Sequence, residues 1–144
     1  MSKNKKFSAA IIIIGNEILS GRTQDTNTAT IAQWLNSIGV KVNEVRVIPD
    51  IENTIIDTVN HLRKVNDYVF TTGGIGPTHD DITAQSISEA FNLEYEIHKE
   101  AFKILEAYYN VGEFNEGRQK MVWMPHNANL ILNPTSGAPG FNIE

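Results

Sequence analysis

Three observations predict an α/β fold built on a mostly parallel sheet. Two apolar runs rich in β-branched and aromatic residues, Phe7 to Ile14 and Tyr68 to Thr71, show little polar alternation, as strands buried on both faces do. Helical patterns alternate with the strand patterns along the chain, the order that folds into βαβ units. The second run also passes straight into Thr72-Gly73-Gly74-Ile75-Gly76 and then into another helical pattern. A strand, a glycine turn and a helix start in that order form a cradle for anions, because free N–H groups and the helix dipole converge there.

Taken in order, Phe7 to Ile14 is a strand expected deep in the sheet. Gly15-Asn16-Glu17-Ile18-Leu19-Ser20-Gly21 and the residues through Asn27 read as a polar, glycine-bracketed loop. The helix after it places Ile31, Leu35 and Ile38 on one face, with Asp25 as its N-cap and Gly39 as its stop. Val40 to Ile48 alternates valine with polar residues, which suits a strand nearer an edge. Pro49-Asp50 starts a second helix carrying Ile55, Ile56, Val59 and Leu62. A central strand from Tyr68 follows, then the glycine turn. The third helix, carrying Ala84, Ile87 and Phe91, is capped by Asp80 or Asp81. Tyr95 to Ile97 is a short strand, and Lys99 to Tyr109 a helix with Phe102, Leu105 and Tyr109 on one face. Asn115 caps a short helix through Met121. Asn129 to Leu132 is a strand ended by Asn133-Pro134, and Gly137 to Phe141 is a loop.

The carboxylates beside the glycine turn distinguish it from an ordinary tight turn. Ligands of open α/β sheets bind beyond the carboxyl ends of the strands. If the strands ending at Ile14 and Thr72 are neighbours, Glu17 and Asn27 face the cradle and the Asp80–Asp81 pair. Three carboxylates around a phosphate-sized space suit a hard divalent cation, or one acid serves as a base. Each residue also has a plainer reading: Glu17 as a solvated loop acid, Asn27 as a first-turn helix residue, and His79 as a solvent-facing neighbour of the acids. A larger residue at Gly74 is expected to fill the phosphate space while leaving the domain folded or only modestly destabilised.

Composition narrows the classes. The 144 residues suit one domain, spanning 1–144. Twelve basic against seventeen acidic residues, a net charge of −5, argue against a general binder of nucleic acid or anionic membranes. There is no cysteine, so disulfides and thiolate metal sites are excluded, and any metal sits on oxygen or histidine. Lys3-Asn4-Lys5-Lys6 reads as a basic tail rather than a secretion signal, since the apolar run behind it is short and has no cleavage site. With no segment of membrane-spanning length, the expected location is the cytoplasm.

Thr71 to Thr83, reading Thr-Thr-Gly-Gly-Ile-Gly-Pro-Thr-His-Asp-Asp-Ile-Thr, resembles the signature of the molybdopterin-binding (MoaB/Mog-like) domain family. Gly-Asn-Glu-Ile-Leu-Ser-Gly at 15–21, with Asp25 and Asn27, is similar to the branch typified by the N-terminal domain of competence/damage-inducible protein A (CinA). Gly117 to Met121, Trp123-Met124-Pro125 and Asn133 to Phe141 fit the same branch. The resemblance implies a three-layer α/β/α domain and a cytoplasmic homo-oligomer, dimer or trimer. It implies a small-molecule nucleotide or pterin phosphate as ligand, with no nucleic acid or membrane partner. Gly73, Gly74, Gly76 and Thr78 would hold phosphate, flanked by Thr72, Ile75, Gly15, Asn16, Asn27, Gly137, Pro139 and Gly140. Glu17, Asp80 and Asp81 would be catalytic, with Glu17 and Asp81 on a divalent metal (Mg²⁺, Mn²⁺ or Co²⁺). The implied activity is hydrolysis of a nucleotide pyrophosphate such as ADP-ribose; the alternative is binding or adenylylation of molybdopterin. Members of the branch continue beyond the Ala-Pro-Gly-Phe segment, so a domain truncated at its C-terminus is expected.

Overall fold

The strand at Phe7–Ile14 (β1) is the axis of the first half of the molecule. A computed structural model describes residues 5–144, so Lys3 and Asn4 of the basic tail lie outside the described residues. The chain divides into two compact units, the first ending at Gly73 and the second beginning at Gly74.

In the first unit, β1 leads through a single helical turn, Asn16–Leu19 (α1), to a helix at Asn27–Ser37 (α2). Val40–Ile48 (β2), a helix at Glu52–Val65 (α3) and Tyr68–Thr72 (β3) complete it. The strands form a parallel sheet in the order β2-β1-β3. The central strand is therefore β1, and β3, expected in the middle, lies at the side of this sheet with Tyr68 exposed. Ala9 through Ile14 are all buried, each isoleucine contributing about 2–3 kcal/mol relative to an exposed position. Leu35 of α2 packs with Ala9 and Val40, and Ile31, Val42 and Phe70 close around them. The crossovers β1–α2–β2 and β2–α3–β3 move across the sheet in opposite directions, so the right-handed sense usual for parallel strands puts α2 and α3 on opposite faces, as helix, sheet and helix layers. Buried Ile55, Val59 and Leu62 form the inner face of α3. Ile38, expected on the inner face of α2, is instead its exposed C-cap, and Gly39 at φ +86° turns the chain. The start of the sheet is pinned by Asp67, whose Oδ2 accepts from the Ser8 backbone N–H at 2.8 Å while the Asp67 N–H donates to Ser8 Oγ.

The second unit opens with the glycine turn and a helix at Thr83–Ala90 (α4), followed by Tyr95–Ile97 (β4) and a helix at Lys99–Tyr108 (α5). A short helix at Glu116–Gln119 (α6) and a 3₁₀ turn at Lys120–Val122 lead to Trp123–Pro125 (β5). Asn129–Ile131 (β6) and Gly140–Asn142 (β7) end the described fold. Both strand pairs here, β4–β5 and β6–β7, are antiparallel. β5 and β7 have no counterpart in the sequence reading, which makes Gly137 to Phe141 a loop. The core gathers Ala101, Leu105, Met121, Val122, Met124 and Ala128, with Phe102, Tyr109 and Phe141 against it. Buried Ser86 and Ser88 of α4 spend their hydroxyls on the Ile82 and Ala84 carbonyls, one helical turn back. His98 caps α5 by accepting the Ala101 N–H at Nδ1; its Nε2–H then donates to the Ala128 carbonyl at 3.2 Å. Asn115 caps α6 as expected.

Among the described residues no helix is long and apolar enough to cross a membrane.

Candidate functional site

Gly15, Asn16, Glu17, Asn27, Thr72 and Gly73 belong to the first unit, and Gly74, Ile75, Gly76, Thr78, Asp80, Asp81, Gly137, Pro139 and Gly140 to the second. Glu17 and Asp81 thus stand in different units.

Beyond β1 the chain turns at once. The Gly15 N–H donates to the Ile48 carbonyl at 3.0 Å, which ties the end of β1 to the end of β2. A side chain at Gly15 would meet the Glu17 carboxylate within 2.4 Å, so the glycine lets that carboxylate fold back against the backbone. Asn16 and Asp50 are joined reciprocally: the Asn16 N–H donates to Asp50 Oδ2, and the Asp50 N–H to Asn16 Oδ1. Sequence reasoning takes Asp50 only as a helix start. That helix begins at Glu52, because Asp50 is held by the β1 loop instead. Asp25 does cap α2 in substance, through Oδ1 to the Asn27 and Thr28 N–H groups and Oδ2 to the Thr28 hydroxyl. The Thr28 hydroxyl is the main reason its carboxyl lies below the usual range, with desolvation opposing. Asn27 sits in the first, exposed turn of that helix.

Gly73 has φ +92°, and a side chain there would come within 2.0 Å of the Ile14 carbonyl. Only glycine allows so close a crossing of two backbones. Gly74, at φ +67°, would collide with Thr83 Oγ1, and its carbonyl accepts the Thr83 N–H at 3.1 Å. The glycine pair is therefore demanded by the turn itself. A larger residue at Gly74 would meet Thr83 and strain the turn itself, in addition to filling the space that the sequence reading assigns to phosphate.

The acids after the turn have separate roles. Asp81 Oδ2 accepts both the Thr78 N–H, at 2.9 Å, and the Thr78 hydroxyl, at 2.8 Å, while the Asp81 N–H donates back to the Thr78 carbonyl. The backbone bond closes a four-residue β-turn, and the Asp81 side chain reaches back to brace its first residue. Neither aspartate caps α4: Ile82 is the N-cap residue and has no side-chain cap bond, because Asp81 is engaged in the opposite direction along the chain. A side chain at Gly76 would lie 2.8 Å from Asp81 Oδ2, so Gly76 makes room for that carboxylate. Oδ1 of Asp81 accepts nothing from the described residues and remains open. Asp80 is exposed and faces His79 at 3.3 Å. Among the described residues no group of three or more His, Asp or Glu side chains is placed to hold a metal ion. The open Asp81 oxygen is a hard donor of the type that Mg²⁺ or Mn²⁺ takes.

Two cavities of the second unit lie elsewhere. One, of about 320 Å³, is bounded by Glu106, Tyr109, Asn110, Gly112, Phe114 and Gln119. The other, about 240 Å³ and largely apolar, holds Gly137 and Pro139 with Leu105, Tyr108, Leu130 and Leu132, and its lining includes none of Gly74 to Asp81. Gly140 is in β7, opposite Ile131.

Residues 10–143 match the family model described as "Probable molybdopterin binding domain". A Caldivirga maquilingensis protein is 41% identical over 138 residues, covering 94% of this chain and 54% of that one. The chain spans about half the length of the curated relatives it matches first. Among solved structures, CinA of Thermoplasma acidophilum, of unknown function, superimposes with a TM-score of 0.89 at 33% identity, covering 96% of this chain and 82% of that one. The Thermus molybdopterin biosynthesis enzyme MoaB, at 22% identity and a TM-score of 0.56 over 78% of this chain and 70% of its own, shares the fold.

Proposed function

This chain is a MoaB/Mog-like, CinA-type member of the probable molybdopterin-binding domain family, and from that premise we propose that it binds a phosphate-bearing ligand at the Gly74–Asp81 loop and hydrolyses a nucleotide pyrophosphate such as ADP-ribose. The observation carrying this reading is the half-committed carboxylate of Asp81, with one oxygen holding Thr78 in place and the other left open. That second oxygen is a hard donor of the kind a divalent cation takes.

The roles divide as follows. The backbone N–H groups of Gly73, Gly74 and Gly76 bind phosphate oxygens, while Thr78, whose N–H and hydroxyl both go to Asp81, shapes the loop around them. Asp81 would offer its open oxygen to a divalent cation, which when bound would neutralise charge on the pyrophosphate. Asp80, exposed beside His79, orients a water molecule or takes its proton. That water adds to one phosphorus, the bridging P–O bond breaks, and two monophosphates leave: AMP and ribose 5-phosphate from ADP-ribose. The family description favours a second reading, in which the same loop binds molybdopterin, or takes part in its adenylylation, without hydrolysis.

Incubation with ADP-ribose, FAD and NAD, each with Mg²⁺, Mn²⁺ or Co²⁺, followed by product analysis, separates the two. Metal-dependent release of AMP is expected. Binding of molybdopterin with no hydrolysis of any of the three would select the second reading.

A further inference from the structure

Lys120, which follows α6, reaches back across forty-two residues of sequence to the acid loop. Its Nζ donates to the Thr78 carbonyl, the same carbonyl that accepts the Asp81 N–H. The segment also runs close to the loop at Gly117, where an added side chain would lie 3.5 Å from the Pro77 carbonyl. The neighbouring cation is otherwise engaged: the Arg118 guanidinium donates to the Glu113 carbonyl and lies 4.4 Å over the Tyr109 ring. Lys120, by contrast, has no carboxylate partner among the described residues and is absent from the ion pairs Lys5–Asp67, Arg46–Glu44, His79–Asp80 and His126–Glu96.

We infer that Lys120 is a phosphate-binding residue of the Gly74–Asp81 loop, supplying a fixed positive charge to a pyrophosphate seated there. An ammonium has three N–H donors, and the Thr78 carbonyl takes one, leaving two for anionic oxygens. A structural tether would be met by a neutral donor. A full charge, half-buried and unpaired at a loop that already carries Asp80 and Asp81, fits a ligand that brings more negative charge. The lysine offsets the repulsion between that ligand and the aspartates, whether or not a metal is bound. The inference rests on the reading of this loop as a phosphate site, but it does not depend on hydrolysis.

The test is calorimetric titration of the whole chain with ADP-ribose and with inorganic pyrophosphate, with and without Mg²⁺. Wild type, Lys120→Met and Lys120→Arg are compared, each beside its thermal unfolding without ligand. Charge-assisted hydrogen bonds predict a loss of about tenfold to a hundredfold in affinity for Lys120→Met, with substantial recovery in Lys120→Arg. That loss should persist without Mg²⁺ and shrink as salt is raised, neither of which a mere brace would produce. Unchanged affinity in Lys120→Met, even with a lowered melting temperature, overturns the inference and leaves the phosphate site standing. A wild type that binds pyrophosphate but hydrolyses nothing ends the hydrolase reading, while the Lys120→Met affinity still decides the role of the lysine. A wild type that binds neither probe overturns both.

Discussion

Replacing Asp81 with asparagine removes one charge and almost no volume, and the structure gives the size of the effect. The amide oxygen can take the place of Oδ2 and still accept the Thr78 N–H and hydroxyl at 2.9 and 2.8 Å. What is lost is charge assistance, about 1 kcal/mol per bond, which is the difference between charged and neutral acceptors. Partial exposure of the site reduces the sum for two bonds to roughly 1 kcal/mol. That corresponds to a fall in melting temperature of about 2–4 °C in a chain of this size. A metal ligand has a larger consequence. Losing about 3 kcal/mol of transition-state stabilisation lowers turnover more than a hundredfold. The assay is AMP release at saturating Mg²⁺, paired with melting curves with and without the metal. Asp81→Asn is expected to melt slightly lower without metal, to lose the stabilisation that Mg²⁺ gives the wild type, and to turn over at background rates. Full activity with an undiminished metal-induced shift would refute the reasoning and leave Asp81 as a turn brace alone.

Gly73→Ala should destabilise the fold by more than about 2 kcal/mol, since a positive φ is added to a backbone collision with the Ile14 carbonyl; chemical denaturation measures it. Gly74→Val should lose stability together with ligand binding, and a variant that melts like wild type would show that the contact with Thr83 can yield. Asp67 has its carboxyl held below the usual range, chiefly by the Ser8 backbone N–H. Its contribution is thus fully present above the ordinary carboxylate range and is lost as pH falls through the depressed folded value. Asp67→Asn should lower stability near pH 7 and flatten its fall between about pH 4 and 2, a difference that melting curves across pH would measure.

The parts of the fold readable in the sequence are those set by local pattern. The apolar run of β1 and the valine alternation of β2 place both strands from Phe7–Ile14 and Val40–Ile48, because burial on two faces or one leaves a mark on every residue. Gly39 and Asn115 mark a helix end and a helix start through backbone chemistry that needs no distant partner. The failures share an opposite cause. β5 and β7 are three residues long, contain Pro125 and Gly140, and exist only because Tyr95–Ile97 and Asn129–Ile131 pair with them. β3 reads as central from its composition, yet its place at the side of the sheet follows from strand order, which no single run encodes. In the site, the glycine turn and its acids are visible as a motif. The division of labour between Asp80 and Asp81 depends on Thr78 three residues earlier, and Lys120 reaches the loop only through the folded path of the second unit.

The central claim, that the Gly74–Asp81 loop is where a phosphate-bearing ligand binds, is tested most directly by following backbone amide resonances during titration with ADP-ribose and with molybdopterin. The account predicts saturable shifts concentrated at Gly73, Gly74, Gly76 and Thr78, for one ligand or both. Shifts confined to the residues around the apolar cavity at Tyr108 and Leu132, or none at the glycine amides at saturating ligand, would contradict it.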